Sequence, residues 1–341
     1  MTRALLTCIL GLTLTGSALA ADVVFSRDGK SVTLLPQTGT ADHLWRVDLK
    51  TKAITNLPLG LPEGQTVRSL SNGAEGELLL LTGEAVYVLN AKGIKKLCDT
   101  APLKDASDLT TAPPKSPGDM ADWLIVTGAD KNHPESDQRR VCYARQPGGK
   151  SFEDVFCRRV DHVGQGAFTP DGRYFFLADN ALWEGHFSYW PDNGPDNWRV
   201  SLTGTSIAPL AYCDSNFTNT GEYRVGTALA VAGKNVYLTL KGRHGADLLL
   251  RVTMPAKPPS CDGTESAEAL MKHYAMQSKV LSSVKVLTPG DYIEALAATV
   301  VNGEERIFYI VTQPGQKTGQ MMLWTSKTPA AEVIGEFKDE Q

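Results

Sequence analysis

An excess of charge of one sign is the first thing this sequence lacks. Its 34 Lys and Arg stand against 38 Asp and Glu, a formal charge of −4. That balance gives no electrostatic basis for binding nucleic acid or an anionic membrane. Long apolar runs are also missing. Beyond the first twenty residues nothing approaches the ~18 apolar residues of a spanning helix, so no membrane span is expected. Local catalytic and cofactor motifs are absent too. There is no G-x-S-x-G elbow, no G-x-x-x-x-G-K-[S/T] loop and no G-x-G-x-x-G turn. No C-x-x-C occurs, and no Cys/His spacing matches zinc. The motifs therefore call for no cofactor and no metal. The six histidines (His43, His133, His162, His186, His244 and His273) are scattered, and each reads as a solvated loop side chain.

What is present excludes other classes. Hydrophobic residues make up 42% of 341, too many for a disordered chain. With 31 Gly and 19 Pro, the chain is neither collagen-like nor of low complexity. Arg3, the apolar run Ala4–Thr15 and the small residues Ser17-Ala18-Leu19-Ala20 form a secretory signal peptide over 1–20, with cleavage after Ala20. The run is too short for a membrane anchor. Cys8 lies too early in the run to be a lipidated cysteine. Residues 21–341 are then expected as a single secreted or periplasmic domain.

Five cysteines remain in that domain, and an oxidising compartment lets them pair. Cys142 and Cys157 flank the turn residues Gln146–Lys150 and are one candidate disulfide. Cys213 and Cys261 are the next. Cys98 is left over, as a free thiol, in an intermolecular bridge, or as a sign that the pairs are assigned wrongly.

The body of the chain alternates apolar and polar residues at the period of half-buried strands. Phe25-Ser26-Arg27-Asp28-Gly29-Lys30 leads into Ser31–Leu35, then Leu44–Leu49, a turn at Lys50–Lys52, and Ala53–Leu57. Asp-Gly supplies the positive dihedrals of a tight hairpin. The opening recurs at Phe168-Thr169-Pro170-Asp171-Gly172-Arg173 and runs into Tyr174–Ala178 and Ala181–Trp183. Propeller blades repeat every ~40–50 residues with four strands each, and the two openings fit that period. The expected fold is an all-β propeller of about six blades. A short helical insertion is expected near 265–281, where Ala267, Leu270, Met271 and Tyr274 recur near helical spacing.

The unit Phe25–Leu57 resembles the blade of TolB-like (PD40-type) β-propellers, and Phe168–Trp183 matches its first half. The resemblance implies a propeller. It implies no reaction, because such blades occur in binding proteins and beside peptidase domains alike.

The segment richest in recognition chemistry holds Trp183, Phe187, Tyr189, Trp190, Asp192, Asp196 and Trp198. Aromatics offer large contact area at low entropy cost, and acids add directed polar contacts. The plainer alternative is groove-filling aromatics around a turn. With no local catalytic motif, the main expectation is a propeller that binds another protein through loops on one face, such as an envelope scaffold or a toxin-neutralising immunity protein. A first alternative is a propeller hydrolase or lyase acting on a carbohydrate or lactone, with several His, Asp or Glu side chains converging on the channel mouth. A second is a carbohydrate-binding module using Trp190 and Trp198. The partner is thus a protein, with a small molecule or glycan as the other candidates.

Overall fold

The computed structural model describes residues 20–338, except 37–41, 74–75, 101–102, 114–122, 131–138, 145–152, 159–164, 179–180, 192–197, 210–222, 243–246, 254–281, 287–291, 314–317 and 329. Among these residues the fold is all β, with 24 strands and no helix. The strands follow one another as six antiparallel meanders of four. The first is β1 (Ala20–Phe25), β2 (Ser31–Pro36), β3 (His43–Asp48) and β4 (Ile54–Pro58). The second is β5 (Val67–Asn72), β6 (Leu78–Thr82), β7 (Ala85–Asn90) and β8 (Gly93–Asp99). The third is β9 (Leu103–Thr111), β10 (Leu124–Asp130), β11 (Arg139–Ala144) and β12 (Glu153–Arg158). The fourth is β13 (Gly166–Phe168), β14 (Tyr174–Ala178), β15 (Ala181–Pro191) and β16 (Trp198–Pro209). The fifth is β17 (Tyr223–Ala232), β18 (Asn235–Gly242), β19 (Leu248–Thr253) and β20 (Ser282–Val286). The sixth is β21 (Tyr292–Val301), β22 (Glu304–Thr312), β23 (Thr318–Thr325) and β24 (Glu332–Lys338).

Hydrogen bonding gathers these strands into five sheets, which corrects the expected count of about six blades. Four sheets are single meanders. The fifth has eight strands, because the outer strands β12 and β16 run side by side and pair in parallel, Val155 with Val200 through Arg158 with Thr203. That long-range pairing leaves no local trace in the sequence. The helix expected at 265–281 lies outside the described residues.

The first strand of each meander packs against the first strand of the next, and β21 returns to β1, so the innermost strands close a ring. The second strands are buried on both faces, as Leu79, Leu80 and Leu81 in β6 and Ile307 to Ile310 in β22 show. The fourth strands β4 and β8 face water. This gradient explains why second strands read as continuous apolar runs and outer strands as polar ones.

The core is a set of layers between neighbouring meanders. Val23, Phe25 and Leu34 meet Phe308, Ile310 and Met321 where the last meander closes on the first. Leu35, Leu44 and Leu70 fill the next layer, and Leu79, Leu109 and Val126 the one after. Among the described residues, β1 and β24 each stay in their own sheet, and the ring is shut there by side-chain packing. Lys52 Nζ adds an ion pair to Glu332 at 2.6 Å across this closure, and Arg306 Nη1 donates to the carbonyl of Gly29.

Candidate functional site

The inner strands surround a central channel with a cavity of about 270 Å³. All six contribute, in matching order. The first lining residues are Asp22, Leu70, Leu109, Gln165, Leu229 and Leu296, so these mark one mouth. The opposite end carries Arg27, Asn72, Thr111, Phe168, Val231 and Thr299.

Polar side chains tie neighbouring meanders together at this channel. Asp22 Oδ2 accepts the Ser69 hydroxyl at 2.7 Å and the Leu70 N–H at 2.8 Å, and Oδ1 accepts the Val23 N–H at 2.8 Å. Ser69 Oγ in turn accepts the Leu109 N–H at 3.1 Å. Asn72 donates to the Phe25 carbonyl at 2.8 Å, and Gln165 Oε1 accepts the Leu229 N–H at 2.8 Å. The last bond fixes which way the Gln165 NH₂ group is turned.

Asp22 is the one channel carboxylate among the described residues. Burial is the main cause that lifts its pKa from 3.8 to about 6, and the negative charge of Asp108 adds to the rise. The hydrogen bonds from Leu70, Ser69 and Val23 oppose it. A carboxyl held near 6 can both give and take a proton close to neutral pH.

Among the described residues, no three His, Cys, Asp or Glu side chains converge. The channel thus holds a single carboxylate among the described residues, where the hydrolase or lyase reading expected several acids or histidines to converge. His43 lies on β3, its Nδ1 2.5 Å from Asp42, edge-on to Trp45.

The backbone of the aromatic segment runs along the β15–β16 hairpin. Trp183 is half-buried on β15 and stacks on Phe176 at 6.3 Å. Phe187, Tyr189 and Trp190 follow on β15, paired with Leu202, Val200 and Arg199 of β16, and Trp198 pairs with Pro191. Asp192 and Asp196 lie outside the described residues. Alternating aromatics in a long hairpin are what a strand selects, so the cluster is legible as strand as well as loop.

Cys142 sits on β11 and Cys157 on the adjacent β12, but Cys142 has Asp154 as its Cα partner, so the two are not direct partners in the ladder. Cys213 and Cys261 lie outside the described residues. Cys98 is a free thiol buried among Leu79, Val86 and Leu124. Burial, and secondarily the charge of Asp99, pushes its pKa up to about 11.

No family model matches the chain, and a search of curated proteins finds no match. Solved structures do share its fold. One is a structural-genomics protein assigned as a gluconolactonase, with a TM-score of 0.52 at 12% identity over 92% of this chain and 91% of the other. A luciferin-regenerating enzyme gives 0.51 at 10% identity over 86% and 84%. A gluconolactonase from Xanthomonas campestris gives 0.50 at 13% over 91% and 87%. The chain has the propeller fold of these proteins. At such identities the likeness concerns the fold alone.

These comparisons overturn the expected protein-binding scaffold. The three structures named above, each matched over most of both chains, are enzymes by name. The site the fold builds is a channel, and the aromatic loop proposed for docking belongs largely to a hairpin. No helix among the described residues is long and apolar enough to cross a membrane.

Proposed function

We propose that the protein is a propeller hydrolase or lyase acting on a carbohydrate or lactone bound in the central channel. One observation carries this reading: Asp22, a carboxyl raised to about 6, stands at a channel mouth with the Gln165 amide on the same ring of lining residues. For a lactone, the Asp22 carboxylate takes a proton from water as the water oxygen attacks the ring carbonyl. The ring C–O bond then breaks, and the leaving alkoxide takes that proton back from Asp22. The Gln165 NH₂ supplies a donor for the carbonyl oxygen as it becomes negative, the kind of preorganised help that is typically worth a factor of ~10²–10³.

Support comes from the channel geometry and from a fold shared with proteins named as gluconolactonases. Small-molecule sites favour concave, largely preformed cavities with a few polar groups, and the channel has that form. The Phe25–Leu57 repeat supports a TolB-like blade type for the scaffold. We also read the leader over 1–20 as an export signal, which makes the compartment secreted or periplasmic.

The test is acid release from a panel of sugar lactones, followed with a pH indicator, and reducing-sugar release from a panel of glycosides. Turnover should appear with at least one lactone. Asp22→Asn should lower kcat/KM by ~10² or more. Lack of turnover across the panel, or full activity in Asp22→Asn, removes the reading.

A further inference from the structure

Two observations meet at the start of β1. The leader pattern Ser17-Ala18-Leu19-Ala20 places the cut between Ala20 and Ala21. The β1–β2 ladder has an irregularity at that point: Ala20 pairs with Pro36 and Asp22 with Leu35, and Ala21 between them has no Cα partner. Cutting there removes one residue from the ladder and leaves the register from Asp22 to Phe25 intact. The new chain end lies one residue from the carboxylate at the channel mouth. Two residues of chain span at most ~7 Å, so the amine cannot be remote from Asp22.

We propose that removal of the leader completes this mouth, by making the Ala21 α-ammonium the fixed counter-charge of the Asp22 carboxylate. The proposal rests on the leader reading and is independent of the reaction proposed for the channel. Among the described residues, the hydrogen-bond donors to Asp22 are all neutral. From β5 come the Ser69 hydroxyl and the Leu70 N–H, and from its own strand the Val23 N–H. From β9 the nearby charge is Asp108, which is negative. Arg27 lies at the far end of the channel lining. Among the described residues this carboxylate is bonded by three neutral donors with a like charge near it, and an α-ammonium is the group that processing creates in reach of it. An opposite charge within ~4–6 Å favours the ionised carboxylate. The mature protein would then keep Asp22 ionised, in the form that accepts a proton, to a lower pH than the extended chain.

The experiment compares two chains. One starts at Ala21, released from a fusion that leaves no extra residue. The other carries a Gly-Ser extension ahead of Ala20. The ¹³C carboxyl signal of Asp22, assigned by its loss in Asp22→Asn, is followed against pH. The Ala21-first chain should titrate lower by about one unit or more, and its α-amine should titrate above the ordinary ~7.7–8.0. The same carboxyl midpoint in both chains overturns the proposal. So does mass spectrometry of the chain exported with its own leader, if its first residue is not Ala21. A midpoint shift without lactone turnover keeps the proposal and sinks the proposed reaction.

Discussion

The chain uses one turn motif twice, and the two copies show how far local chemistry reaches. In the first meander, Ser26 Oγ donates to Asp28 Oδ1 at 2.8 Å and the Gly29 N–H closes on the Ser26 carbonyl. In the fourth, Thr169 Oγ1 donates to Asp171 Oδ1 and the Gly172 N–H closes on the Thr169 carbonyl. Both glycines have positive φ, +64° and +90°. Locally the copies are nearly one structure. Their surroundings differ. The first turn sits on the closure of the ring, where a Cβ on Gly29 would lie 2.1 Å from Val301 Cγ2. Its ion pair, Lys30 with Asp28, is exposed, with side-chain exposures of 78% and 55%. The second turn leads into a buried pair. Arg173 Nε and Nη2 donate to the two Glu184 oxygens at 2.6 and 2.9 Å, with side-chain exposures of 11% and 6%. The same hexapeptide logic thus serves a seam in one place and a buried charge in the other.

The sharpest way to test the contrast is to break the buried pair. Glu184→Ala leaves the Arg173 guanidinium in the interior and should cost about 3–5 kcal/mol in chemical denaturation. A loss below ~1 kcal/mol would show that the pair is solvated. Next comes the seam. Gly29→Ala combines a left-handed backbone, at about 1–2 kcal/mol, with displacement of Val301, at about 1–3 kcal/mol. Gly60 is the control. Its φ is +65° but nothing lies within 4 Å of a Cβ there, so Gly60→Ala should show only the backbone part. Equal losses at Gly29 and Gly60 would mean that the closure yields freely.

Asp22 adds a pH-dependent effect in the chain extended ahead of Ala20. Its pKa is raised on folding, from 3.8 to about 6. The folded state therefore binds the proton more tightly than the unfolded state. The stability this contributes is complete below about pH 4 and is lost as pH rises through about 6, by at most about 3 kcal/mol. Asp22→Asn should flatten that part of the stability-against-pH curve, and an unchanged slope would refute the assignment. The smallest effect is expected at the exposed pair: Lys30→Ala should move stability by less than ~0.5 kcal/mol.

Much of the scaffold was legible because it is local. Asp28-Gly29 and Asp171-Gly172 announce hairpins by their dihedral needs. The turn at Lys50–Lys52 is visible in advance, and in the structure Asp48 Oδ1 ties it by accepting the Lys50 and Thr51 N–H groups. The fusion of two meanders through β12 and β16 was not legible, because parallel pairing between strands about forty residues apart depends on where the ring puts their edges. The channel residues were hidden for a similar reason. Asp22, Asn72, Thr111 and Thr299 come from four different inner strands and Gln165 from just before β13, and no spacing rule joins them.

Sequence alone determined the all-β character, the four-strand rhythm, the turn positions and the residues that would be buried, since each follows from side-chain period and backbone preference over a few neighbours. The number of sheets, the way the ring shuts and the meeting of Asp22 with Ser69, Leu70 and the channel were decided only by tertiary structure. Closing a ring brings together groups from every repeat, and the free energy of that closure resides in packing between repeats, which no single repeat encodes.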